Sequence, residues 1–284
     1  MKRTTYNWRK LFLLISTHLI ETVLQPLTLD NRKCVLIIDD STYDRHRSKV
    51  VELLSQVKDH TTGAYMKGFC MLTLGWSDGA TFLPLAFSLL SSKKAQNRYQ
   101  EMDSNIDKRS VGYRRRQEAV QKGMEPLFTL LDDINPATLG AKTLLFDSWF
   151  AYPSIIKRVV TQYPLDVVCM IKCSPKVHYT YAGQSYTLNQ LYKIVRKKRG
   201  RAKILASIIV GLGSDENNEE IQGRIIFEQD HNRSKKWLTI LTTNLEHAEE
   251  EAVRIYVKRW AIECFFQGDQ VTPEIGQRVS MPQL

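Results

Sequence analysis

Short apolar, β-branched runs alternate along this chain with polar connections and a few stretches of helical period, a pattern that predicts an α/β fold. Val35 to Ile38 (VLII) runs into Asp39, Asp40, Ser41 and Thr42, as a buried strand does when its C-terminal end carries polar groups. A polar stretch follows to about Gly63. Lys67 to Gly75 (KGFCMLTLG) and Thr81 to Leu90 (TFLPLAFSLL) then flank Trp76-Ser77-Asp78-Gly79, where Asp-Gly signals a hairpin, so three antiparallel strands are expected early in the chain. Residues Ser91 to Arg116 are polar and basic, include Arg114, Arg115 and Arg116, and read as an exposed connection. From Gln117 to Ile134 the apolar positions Val120, Met124, Leu127, Leu130, Leu131 and Ile134 recur at helical spacing, with Gly123 and Pro126 placed to split the helix.

Lys142 to Phe146 (KTLLF) is a further buried strand, ending at Asp147, and a short helix (Tyr152 to Val160) leads to another strand at Leu165 to Ile171. Strand, helix and strand in that order imply parallel pairing through right-handed crossovers, hence a mixed sheet covered on both faces. From 176 to 245 Tyr, Thr, Val and Ile alternate with polar groups in short runs such as Ala206 to Leu212, Arg224 to Glu228 and Trp237 to Thr242, which suggests a β-rich insertion. One helix is expected from about Ala248 to Phe266, with Glu249, Glu250 and Glu251 in its first turn complementing the helix dipole. The expected organisation is an N-terminal helical remnant (1–30), a core (31–175), the insertion (176–245), a helix completing the core (246–266) and an aberrant or disordered tail (267–284).

With 284 residues and 43% hydrophobic composition, the chain can bury a sizeable core. Forty Lys and Arg against thirty Asp and Glu give a net charge of +10, which favours a polyanionic partner. Lys193 to Lys203 (KIVRKKRGRAK) concentrates that charge in Lys193, Arg196, Lys197, Lys198, Arg199, Arg201 and Lys203 with no acid among them, a candidate phosphate-contacting strip. The segment Lys10 to Ile20 is interrupted by Ser16, Thr17 and His18 and lacks a small-residue cleavage site, so it reads as an amphipathic helix rather than a signal peptide. No other stretch approaches a membrane span, and a soluble protein is expected. Four of the five cysteines sit inside apolar runs, which suits buried thiols in a reducing cytoplasm.

Two carboxylate positions, one of Asp39/Asp40 and Asp147, stand at the ends of separate buried strands. Parallel neighbours would bring them into one crevice, where hard oxygen ligands suit Mg2+. Such residues also cap turns, and that alternative stays open for each position. On the last helix Tyr256, Arg259 and Glu263 fall at i, i+3 and i+7 and share one face: a further carboxylate, a cation able to pair with a phosphate or orient a carboxylate, and a phenol able to donate a hydrogen bond.

The order VLIIDDST, LLFDSWF, a β-rich insertion, then Tyr256-x2-Arg259-x3-Glu263 resembles the bacterial insertion-sequence DDE transposases with a tyrosine, arginine, glutamate and lysine signature, over roughly Asn31 to Phe266. The resemblance implies an RNase H-like core in which Asp39 or Asp40, Asp147 and Glu263 ligate two Mg2+ ions, with Mn2+ able to substitute. Asp40 is slightly favoured because it precedes Ser41 and Thr42. It further implies hydrolysis and transesterification on double-stranded DNA at transposon ends and target, a homodimer on paired ends, and a bacterial, cytoplasmic, nucleoid-associated setting. Tyr256 and Arg259 would contact DNA and Trp237 would stack on a flipped base. The signature lysine falls at Gln270, and little chain precedes Val35, so a fragment that has lost its end-recognition domain is expected. The alternatives are a catalytically inactive DNA-binding remnant or another RNase H-like nuclease.

Overall fold

The computed structural model describes residues 5–28, 32–59, 63–121, 124–198, 203–229 and 237–268, which fall into two compact units. The first unit comprises Met1–Arg32, Ile38–Trp76 and Leu83–Gly140. It opens with α1 (Trp8–Leu19), continued by a π-helical turn (Ile20–Leu24) and the short α2 (Gln25–Leu27). The Asn7 carboxamide accepts from the Lys10 N–H and caps α1. This helix buries Arg9 and Ser16 and leaves Trp8, Leu11, Leu14 and Ile15 exposed. Polar bonds hold it: Arg9 donates to the Phe87 carbonyl at 2.9 and 3.1 Å and to Glu118 at 2.6 Å, and Ser16 donates to the Pro84 carbonyl at 3.0 Å.

The strands of this unit are β1 (Cys34–Asp44, from Ile38 onward), β2 (Ser55–Lys58), β3 (Tyr65–Ser77) and β4 (Phe82–Leu90), with β3 between β2 and β1 and β4 also paired to β3. The VLII strand therefore runs further than its apolar core, and β2 lies in the stretch read as polar. The Ser91 to Arg116 segment also departs from expectation, because Val111–Ala119 forms α3, capped by Ser110. Arg115 pairs with Glu118 and Arg116 with Glu52, each at 2.6 Å, so internal acids satisfy this charge instead of water. Pro126 opens α4 (Glu125–Asp132), where its missing N–H costs nothing. Leu53, Leu54, Phe69 and Ala119 form an apolar cluster with Tyr43 and Leu89 against it.

The second unit comprises Lys33–Ile37, Ser77–Phe82 and Ala141–Leu284. After β5 (Ala141–Phe146), α5 (Pro153–Gln162) crosses to β6 (Asp166–Met170), which is parallel to β5 with Leu145 opposite Val168. Then come β7 (His178–Tyr181), β8 (Gln184–Thr187), α6 (Leu188–Ile194), β9 (Ile204–Ser214), β10 (Glu220–Gln229), β11 (Trp237–Thr242), α7 (Glu249–Val257) and α8 (Trp260–Gly268). The strand order is β1-β5-β6-β11-β10-β9-β7-β8, and β11 pairs antiparallel with both β6 and β10. The later strands thus extend the core sheet, giving a large mixed sheet flanked by helices, consistent with an RNase H-like fold. Val35, Ile37, Leu145, Val168 and Ile240 pack with Ile255 of α7 and Ile262 of α8. Each such side chain, fully buried, contributes about 1.5–3 kcal/mol.

Of the cysteines, Cys169 is buried and Cys34 and Cys70 are partly so, while Cys173 and Cys264 are exposed, so uniformly buried thiols are not found. Among the described residues no helix is long and apolar enough to cross a membrane.

Candidate active site

In the first unit the β-branched run of β1 delivers Asp39 and Asp40 at adjacent positions. Asp39 is buried, and its carboxylate accepts the Asp40 N–H at 3.1 Å. Asp40 is half-buried, and the Cys70 thiol donates to its carboxylate at 3.4 Å. Burial, then the charges of Asp40 and Asp39, push the Cys70 thiol well above its ordinary value, so it stays protonated and can keep donating. Cys70 escaped the sequence reading because a cysteine in an apolar strand carries no sign of its cross-strand neighbour.

In the second unit Asp147 follows the last residue of β5 and is half-buried. Its carboxylate accepts the Trp149 N–H at 2.7 Å, so it caps the following turn. The terminal helix is not continuous. Lys258 and Arg259 form a turn between α7 and α8, where the N–H groups of Lys258, Arg259, Ala261 and Ile262 bond three residues back, a 3₁₀ tightening. Lys258 anchors this turn, its ammonium donating to the Lys33 carbonyl at 2.5 Å and reaching the Asp78 carbonyl at 3.4 Å. Gly79, at φ +96°, leaves room for that side chain, since a Cβ there would stand 3.1 Å from Lys258 Cε.

Across the turn Tyr256, Arg259 and Glu263 remain together. The Arg259 guanidinium forms an ion pair with Glu263 and lies 5.9 Å from the centroid of the Tyr256 ring. Burial pushes the Tyr256 phenol up to about 12; Arg259 opposes this by charge and hydrogen bond, while Cys169 and Asp147 add to it. Asp147 therefore lies within electrostatic reach of the Tyr256 hydroxyl, and its charge also helps to raise the buried Cys169 thiol, after burial itself.

Trp237, at the start of β11, is half-buried, its ring 4.6 Å from Tyr192 and 5.3 Å from Phe227. Lys197 sits 4.4 Å over the Tyr192 ring, an arrangement that can receive a flat, anionic partner. Lys193, Arg196, Lys197 and Lys198 are exposed, and Lys198 pairs with Glu249 at 2.5 Å. Phe227 went unrecognised in the sequence because only the pairing of β10 with β11 brings it to Trp237, and Tyr192 because it reaches Trp237 from α6 through a tertiary contact. Arg199, Arg201, Gln270 and the tail from 269 lie outside the described residues.

A large mixed sheet flanked by helices, with aspartates following the apolar runs of β1 and β5, is consistent with an RNase H-like nuclease core. The family model described as DDE superfamily endonuclease matches residues 4–201, more than half of the chain, and the protein belongs to that family. The match contains Asp39, Asp40 and Asp147 but ends before Trp237, Tyr256, Arg259 and Glu263. No curated protein matches the chain. Family membership implies a DNA substrate and a nuclease or transposase type of activity.

DDE endonucleases generally use divalent metal ions, and carboxylates are the donors a hard cation prefers. Among the described residues, however, no group of three or more His, Cys, Asp or Glu is gathered to hold a metal ion, and Glu263 is engaged by Arg259. The donors present suit the ion chemically, but no ready-made cage holds them.

Proposed function

We propose that the chain is the catalytic core of an insertion-sequence transposase, cleaving DNA at transposon ends and transferring strands to a target with Mg2+ or Mn2+. The observation that carries this reading is the match to the DDE superfamily endonuclease family over residues 4–201, which contains Asp39, Asp40 and Asp147; the Tyr256, Arg259 and Glu263 side chains gathered near the end of the described chain support it. Asp147 and Glu263 would hold the cations together with a carboxylate of the Asp39/Asp40 pair. Of the pair Asp40 keeps the slight preference, because it precedes Ser41 and Thr42. Two ions bound in this way lower the pKa of the attacking water and stabilise the leaving oxygen.

The protein's own residues do the rest. Arg259 and the protonated Tyr256 would bind phosphate oxygens, and Lys193, Arg196, Lys197 and Lys198, with Arg199 and Arg201, would supply a track for the backbone. Trp237, backed by Tyr192 and Phe227, offers a face for an extruded base, and a homodimer would hold paired double-stranded ends. A bacterial cytoplasm, at the nucleoid, is the setting that such a function requires.

Incubation of supercoiled plasmid with the protein and Mg2+ or Mn2+ tests the proposal: nicking that requires the metal and disappears in Asp147→Ala supports it. The second reading, a catalytically inactive DNA-binding remnant, is favoured by the lack of an assembled acidic group among the described residues. Salt-sensitive binding of plasmid without nicking in either metal would establish that reading instead.

A further inference from the structure

We infer that Arg259 is a counter-ion that keeps Glu263 from binding a metal until a DNA phosphate draws the guanidinium away, so that metal and DNA enter the site together. The inference rests on the reading of Glu263 as a metal ligand. Arg259 and Glu263 are ion-paired across one helical turn, and their side chains are only 15% and 27% exposed, so water screens the pair less than it would at an open surface. The guanidinium is held a second time, through its hydrogen bond with Tyr256 and its place near that ring.

A dication arriving alone meets a carboxylate whose charge is already compensated by the Arg259 guanidinium. Displacing Arg259 would break a partly buried ion pair and leave its positive charge beside the incoming metal, and both effects oppose binding. A phosphate changes this balance because the planar guanidinium can fork onto two of its oxygens, a better partner than a single carboxylate oxygen. Once Arg259 turns to the phosphate, Glu263 is an uncompensated carboxylate facing a substrate that itself supplies oxygen ligands. Linkage then makes the coupling reciprocal: DNA tightens metal binding by the factor by which metal tightens DNA binding.

Mn2+ titration of the full chain, with free ion followed by electron paramagnetic resonance, tests this with and without a short duplex. The unaltered protein should bind Mn2+ weakly alone and about tenfold or more tighter with duplex, within the usual range of allosteric couplings. Arg259→Gln should bind Mn2+ without duplex about as tightly as the unaltered protein does with it, and duplex should add little. Arg259→Lys, which keeps the charge but not the fork, should still exclude Mn2+ while losing most of the coupling, and it provides the test if the glutamine variant does not fold. If Arg259→Gln gains no Mn2+ affinity while Glu263→Gln loses it, the counter-ion role is refuted and the ligand reading stands. If Glu263→Gln leaves Mn2+ binding unchanged in the presence of duplex, the ligand reading fails and takes the inference with it.

Discussion

Replacing Glu118 by alanine would strand a buried arginine in the first unit. The Glu118 carboxylate accepts from Arg9 at 2.6 and 3.2 Å, from Arg115 at 2.6 Å and from the Ser88 hydroxyl, and the Arg9 and Glu118 side chains are only 7% and 6% exposed. Without it, Arg9 keeps the Phe87 carbonyl and a longer pairing with Asp133 at 3.7 Å. Removing one partner of a buried pair costs about 3–5 kcal/mol; the surviving bonds put this case near the lower end, about 3 kcal/mol. For a domain of this size that is about 6–12 °C in melting temperature, read by circular dichroism. Burial opposes ionisation of Glu118, but the hydrogen bonds and charge of Arg9, with Ser88 and Arg115, outweigh it and hold the carboxyl below its ordinary value of 4.5. A depressed folded-state pKa contributes stability that is present above the unfolded value and lost as pH falls through the folded one. The unaltered protein should therefore lose stability more steeply than Glu118→Gln on acidification below about pH 5. A Glu118→Ala variant melting within about 2 °C of the unaltered protein near neutral pH would refute the view that this pair fastens α1.

Other consequences are open to direct measurement. In the nicking assay Asp40→Asn should abolish cleavage and Asp39→Asn should leave a measurable rate; the opposite ranking would hand the ligand role to Asp39. Replacing Lys193, Arg196 and Lys197 together by alanine should weaken binding to all duplexes alike and flatten the dependence of log K on log salt by about 0.9 for each phosphate left without its cation, measured by fluorescence anisotropy. Gly79→Ala should cost about 1–3 kcal/mol in denaturant unfolding, because it forces a side chain into a positive φ and crowds Lys258.

Much of the architecture was legible because its signals are local. β5 and β6 announce themselves as apolar runs, the helix between them fixes their parallel sense, and Pro126 marks a helix start. What stayed hidden depends on partners distant in the chain. The Ser91 to Arg116 segment is largely exposed, as its polarity suggests, but nothing in it foretells that Glu118 and Glu52 pair with Arg115 and Arg116, and α1 looks as though it should bury its apolar side until Arg9 finds Glu118 109 residues away. The same limit applies to the candidate site. Spacing places Tyr256, Arg259 and Glu263 on one helical face, and they do stay together, but a continuous helix is not what holds them. The turn at Lys258 is fixed from outside the helix by the carbonyls of Lys33 and Asp78, with Gly79 making room, so the orientation of Glu263 depends on residues that no helical periodicity could have singled out. Periodicity identifies the side chains that share a face, whereas their aim is set by whatever anchors the helix ends, here an ammonium group bonded to backbone oxygens.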